Sequence, residues 1–224
     1  MSAPAPRILR IQALARRPGV CRVDIAGAGT YPLECATVRA LGLAEGAEVS
    51  SALLERVRAA AARLGAREAA LRLLRRRLRS RVELEAALRR RGAPPDAVLA
   101  VVGELRRLGW IDDARFARAW IRDRLALRPC GARRLRAELR RRGVSAQVIA
   151  EALAELLPFE MEDDLAVAQA RSRLGRLRAL SPEAARRRLA GWLARRGYPA
   201  EVIARALRHL LPGGGGSTGV GPAA

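Results

Sequence analysis

Residues 133–156 read RRLRAELRRRGVSAQVIAEALAEL. A basic stretch with leucines at helical spacing runs into a glycine, and a second amphipathic stretch follows it. With the register set on Gly143, the same pattern recurs on both sides, at Gly92 and Gly197. Leucine stands eight residues before each glycine (Leu84, Leu135, Leu189) and again four before (Leu88, Leu139, Leu193). Ten residues after come Val102, Leu153 and Leu207, and thirteen after come Leu105, Leu156 and Leu210. The glycines are 51 and 54 residues apart, so the chain is built on an internal repeat.

Working outward, the middle copy spans 110–158. It opens at Asp112, an N-cap residue, and its buried face is expected from Phe116, Trp120 and Ile121. A first copy over 68–109 starts with a helix of sequence EAALRLLRRRLRS, followed by a capping box at Ser80-x-x-Glu83 and a helix opened by Pro94, Pro95 and Asp96. A third copy covers 159–211, with Asp163 and Asp164 expected at a helix start and Ser181-Pro182-Glu183 as a cap. Each copy reads as three helices joined by short connections. One such unit buries little alone, so the expected architecture is mostly α: three tandem three-helix repeats stacked into an elongated curved rod.

Before the repeats, 1–67 reads as a small β-containing extension. Alternating segments near Ile8–Ile11, Val20–Ile25 and Thr30–Leu33 suggest a hairpin with a glycine-rich turn, and a linker helix capped by Ser50 or Ser51 runs to Leu64. Gly27-x-Gly29 lacks the following helix that a phosphate cradle needs, so it reads as a turn. Residues 1–6 and the Gly-rich 212–224 are expected to be flexible.

The formal net charge is +21, and all 43 basic residues are Arg. Exclusive Arg usage is partly explicable by a GC-rich genome, but the net charge is not. The charge is spread evenly: the extension and each repeat carry 10 or 11 Arg against 5 or 6 acids. Such a field favours polyanions. The candidate contact residues are Arg75, Arg76, Arg77, Arg79, Arg81, Arg89, Arg90 and Arg91 in the first repeat. In the second they are Arg115, Arg118, Arg124, Arg133, Arg134, Arg136, Arg140, Arg141 and Arg142, and in the third Arg186, Arg187, Arg188, Arg195 and Arg196. A cation in the last turn of a helix is itself mildly stabilising, which accounts for one cluster but not for the basic stems before them.

Sequence-specific readout is not expected. The chain has no Asn and only Gln12, Gln147 and Gln169, and its few aromatic residues fall at core-like positions. Any nucleic acid would be held by its backbone. Catalysis is not expected either: His209 is the only histidine, and Asp112-Asp113 and Asp163-Asp164 read as caps. Cys21, Cys35 and Cys130 lack metal-ligand spacing and are expected as reduced thiols in a cytoplasmic protein, although Cys21 and Cys35 could meet in a hairpin. No metal or cofactor is implied, and no apolar run approaches the ~20 residues that span a bilayer.

At the middle repeat the residues become specific. Leu108-Gly109-Trp110-Ile111-Asp112-Asp113-x-Arg115-Phe116-Ala117-Arg118, then Arg124, then Pro129-x-Gly131-x-x-Arg134-Leu135-x-x-Glu138-Leu139-x-x-x-Gly143, resembles the RecX regulatory proteins, bacterial modulators of the RecA recombinase. Ala70-Leu71-x-x-Leu74-x-x-Arg77-x-Arg79-Ser80-x-x-Glu83-Leu84 is similar to that family's start of the helical region. The chain departs in its exclusive use of Arg and in the third repeat, where Leu180-Ser181-Pro182 replaces the Pro-x-Gly break. The resemblance implies a non-enzymatic binding protein without cofactor that acts as a monomer on RecA filaments and their single-stranded DNA. There it would suppress strand exchange, ATP hydrolysis and co-protease activity. A sequence-independent DNA-compacting protein is the alternative that charge alone leaves open.

Overall fold

The computed structural model describes residues 6–177 and 179–211; the expectations for the first five residues and for 212–224 fall outside them. Three strands, β1 (Ile8–Ala13), β2 (Val20–Ile25) and β3 (Gly29–Glu34), form one antiparallel sheet in the order β1-β2-β3. Ten α-helices follow among the described residues: α1 (Cys35–Ala40), α2 (Ser51–Arg76), α3 (Arg81–Arg89), α4 (Pro95–Arg107), α5 (Asp113–Leu127), α6 (Ala132–Arg141), α7 (Ala146–Leu156), α8 (Phe159–Leu174), α9 (Pro182–Arg195) and α10 (Ala200–Leu210). The chain divides into two compact units, 1–111 and 112–224.

In the first unit, α2 serves two cores. Its N-terminal half sets Val57 into the cluster formed by Ile8, Val23, Ile25, Leu33 and Val38 of the sheet and α1. Its C-terminal half sets Ala66, Ala70 and Leu73 against Leu84 and Leu88 of α3 and Val98, Val101, Val102 and Leu105 of α4. The expected linker helix and the expected first helix of the repeat are therefore one helix of 26 residues, started by Ser50 Oγ accepting from Leu53 N at 3.2 Å. Gly65 does not break it, because a lone helical glycine costs about 1 kcal/mol and two cores outweigh that. Arg67 fastens the ensemble, reaching Glu34 of β3 at 3.0 Å and Glu104 of α4 at 3.2 Å.

The cysteine expectation needs correction. Cys21 pairs across the sheet with Leu33, and the chain turns into α1 at Cys35, which leaves the two Cα atoms 5.4 Å apart and the sulfurs joined in a disulfide. The strand register supplies the approach that spacing alone did not reveal. Only Cys130 is free, and it is buried.

The second unit holds α5 to α10. Phe116, Ile121, Leu135, Leu139, Ile149 and Leu153 make one cluster, and Leu189, Leu193, Tyr198, Val202 and Ala206 make another with Ala166 and Ala170 of α8. The repeat leucines at both positions before the glycine are fully buried in all three copies. The glycines explain the breaks. Gly92, Gly143 and Gly197 have φ of 80°, 76° and 85°, the left-handed conformation that closes a helix. The next residue's N–H then returns to the carbonyl five back: Ala93 to Leu88, Val144 to Leu139 and Tyr198 to Leu193, each at 3.2 Å. The same closure three times is the repeat in atomic form.

Two glycines of the second unit also allow backbones to touch. Gly131 N donates to Arg196 O, and Arg133 N donates to Gly197 O, both at 3.0 Å. A Cβ on either Gly131 or Gly197 would stand 2.4 Å from the opposing chain. Beside this seam Glu162 of α8, only 5% exposed, accepts from Ala132 N at 2.7 Å and caps α6 from outside its own helix pair.

Three further expectations change. Asp163 and Asp164 do not start a helix: α8 begins at Phe159, its first-turn acids are Glu160 and Glu162, and Asp163 receives both arms of Arg205 at 2.5 and 3.0 Å. Trp110 and Phe159 are not core residues but are 57% and 50% exposed. Trp110 follows the left-handed Gly109, which turns its side chain outward, and Phe159 is the first residue of its helix with Arg205 stacked 4.0 Å from its ring centre.

Candidate polyanion-binding surface

Glu138 organises the basic residues of the middle repeat. It is 4% exposed, and it accepts from Trp120 Nε1 at 3.0 Å, Arg124 Nε at 2.8 Å and Arg134 Nε at 3.1 Å. Burial pushes its carboxyl up, but the bonds from Arg134 and Trp120 and the charge of Arg124 outweigh this and hold it below the usual range. Arg142 donates to Glu138 O at 2.9 Å and lies 3.6 Å from the Trp120 ring centre, while Arg124 lies 4.7 Å from the same centre. Two guanidiniums thus contact the indole, and those arginines are bound into the fold.

The residue just before each repeat glycine donates to a backbone carbonyl. Arg91 donates to Ala87 O at 3.0 Å, as Arg142 does to Glu138 O, each reaching four residues back. Arg196 instead bonds Pro129 O at 2.9 Å and Gln169 Oε1 at 2.8 Å and sits 4.5 Å from the Trp192 ring centre. One arginine of each cluster is therefore structural.

Other candidates are also committed. Arg77 pairs with Glu83 at 2.7 Å, and Arg81 and Arg89 share Glu85 at 2.6 and 3.6 Å. Arg118 meets Glu155 at 2.6 Å, Arg141 bonds Ala137 O at 3.3 Å, and Arg186 reaches Leu211 O at 3.5 Å. Arg79 is half-buried, and burial followed by the charge of Arg77 lowers its pKa. Ten candidates remain exposed with neither an ion pair nor a side-chain hydrogen bond to a described residue: Arg75, Arg76, Arg90, Arg115, Arg133, Arg136, Arg140, Arg187, Arg188 and Arg195. They come from all three repeats.

Among the described residues no group of three or more His, Cys, Asp or Glu could hold a metal ion. His209 is exposed in the last turn of α10. Burial pushes the Cys130 thiol up, which keeps it protonated and a poor nucleophile. No helix among the described residues is long and apolar enough to cross a membrane.

Comparison with known proteins gives this architecture a family. Residues 66–105, 112–153 and 160–207 match, in order, the first, second and third three-helix domains of RecX. The chain belongs to the RecX family. It is 42% identical over 146 residues to the regulatory protein RecX of Thermobifida fusca, covering 65% of this chain and 78% of that one. To the regulatory protein RecX of Amycolatopsis mediterranei it is 40% identical over 146 residues, covering 65% and 83%. A crystal structure of regulatory protein RecX superposes with a TM-score of 0.75 at 22% identity, over 89% of this chain and 97% of the other. RecX from Lactobacillus salivarius superposes at 0.63 and 21% identity, over 66% and 96%.

The RecX relatives are named regulatory proteins, and the family gives this chain a regulatory role. Sequence reasoning overlooked Arg173, which lies on α8 away from the arginine runs yet faces Trp192 at 5.5 Å. It also assigned Trp192 wholly to the core, although this indole lines a surface cleft. Contact across two helices carries both facts, and linear spacing holds no trace of it.

Proposed function

We propose that this RecX protein binds a RecA-type recombinase filament together with its single-stranded DNA and opposes strand exchange, ATP hydrolysis and co-protease activity. The supporting observation is the set of ten exposed arginines, unpaired with any described residue and distributed over three repeats of a regulatory family. An array of this kind suits an extended anionic partner better than a compact ligand. Its guanidiniums meet DNA phosphates and acidic recombinase side chains alike. The action is steric and electrostatic: the bound protein hinders subunit addition or movement and performs no chemistry. It binds as a monomer, in the cytoplasm, and needs no cofactor.

Co-sedimentation with recombinase filaments at two salt concentrations tests the reading. The protein should pellet with filaments at both and release partly at the higher. A second reading, sequence-independent compaction of DNA, draws on the absence of Asn from the arginine surface. It requires tight binding to duplex DNA without recombinase and a steep loss of affinity as salt rises. A shallow slope, with tight binding only to the filament, rejects it.

A further inference from the structure

One cleft of about 450 Å³ in the third repeat lies between the C-terminal end of α8 and one face of α9. Arg187, Arg188, Gly191, Trp192 and Arg195 occupy positions on α9 that fall within about 140° around the helix. Arg173 of α8 and Leu177 of the 3₁₀ turn Gly175–Leu177 complete the lining. None of the four arginines makes an ion pair with a described residue, and no carboxylate of a described residue lines the cleft. Four like charges around one concavity repel each other and concentrate a positive field within it.

The lining has two chemical parts, a rim of guanidiniums and an apolar floor in the sense of chemistry rather than depth. Gly191 contributes no side chain, and Trp192 and Leu177 supply apolar surface there. A nucleotide matches both parts, with phosphates on the guanidinium rim and the sugar and base over the apolar floor. An acidic peptide would use the rim and leave the floor unfilled. We infer that this cleft is a seat for one nucleotide of a single strand of nucleic acid, gripped through its flanking phosphates. The inference rests on the polyanion reading above and assigns it a location that neither the repeat pattern nor the family match supplies.

The test uses the full chain and a fluorescein-labelled oligo-dT of about twelve nucleotides, followed by anisotropy. R187A/R188A/R195A should weaken binding roughly ten-fold or more and reduce the salt slope by about three contacts. A charge-matched control, R10A/R16A/R39A in the N-terminal extension, should lose far less. G191L keeps every charge and fills the floor. A helical leucine is favoured over glycine there, and the nearest atom to a new Cβ is the mobile tip of Arg195 at 3.3 Å, so the variant should fold. It should lose several-fold in affinity with the salt slope unchanged.

Equal losses in the cleft and control triples, or full binding by G191L, overturn the inference. So does displacement of the oligonucleotide by poly-glutamate at lower concentration, with the same residue dependence, because it makes an acidic peptide the occupant. Inhibition of recombinase ATPase by the unaltered protein is read in parallel. If that inhibition is present while cleft variants bind oligo-dT normally, only the cleft fails; if it is absent, the regulatory reading fails.

Discussion

Glu138 and the arginine one place before each glycine separate two kinds of arginine that look alike in the sequence. Arg124 and Arg134 bond one buried carboxylate and Arg142 its backbone carbonyl, whereas Arg133, Arg136 and Arg140 of α6 are exposed without ion pairs to described residues. Replacing Glu138 by Ala would leave three donors without their acceptor and should cost roughly 1.5–3 kcal/mol of the second unit's stability in urea denaturation. The same carboxyl sets a pH dependence. Its folded pKa lies below the unfolded value, so its contribution is complete above about 4.3, the ordinary glutamate value, and is lost as pH falls through the folded pKa. Acid titration of stability should therefore be flatter in E138Q than in the unaltered protein; an equal slope would remove Glu138 from that role. The motif pointed to this glutamate as part of a spacing pattern, but the convergence on it of α5 and two turns of α6 needs the fold.

At the scale of elements, the leucines and glycines were legible because helix closure and amphipathic packing are local. The seam between Gly131 and Gly197 was not, since it joins backbones 66 residues apart in the sequence. The repeat glycines should consequently respond unequally. G92A meets open space and carries only the strain of a left-handed alanine, about 1–2 kcal/mol. G197A adds a collision with Arg134 and should cost distinctly more by denaturant unfolding. Equal costs would mean that the seam relaxes freely. The continuity of α2 gives a second contrast, because Gly65 read as the end of a linker helix. Within a continuous helix, with nothing within 4 Å of an added Cβ, G65A should stabilise the first unit by about 1 kcal/mol. A helix end at that position would make the same change destabilising.

Over the whole molecule, the near-equal share of charge in each repeat anticipated a distributed surface, and the resemblance in the middle repeat anticipated the family. Neither could rank the arginines. Burial and pairing do so, removing Arg81, Arg118 and Arg196 among others from the exposed set, while the cleft lining brings in the half-buried Arg173. The disulfide between Cys21 and Cys35 escaped expectation because compositional reasoning about redox setting outweighed a hairpin register not yet known. On the proposed function, the exposed arginines without described partners let this protein restrain a recombinase filament. ATP hydrolysis by recombinase on single-stranded DNA, measured with equimolar protein, tests it most directly. The unaltered protein should suppress hydrolysis, R118A should suppress it as well once folding is verified, and R133A/R136A/R140A should suppress it markedly less. Hydrolysis unchanged by the unaltered protein, or suppressed equally by the triple variant, would contradict the claim.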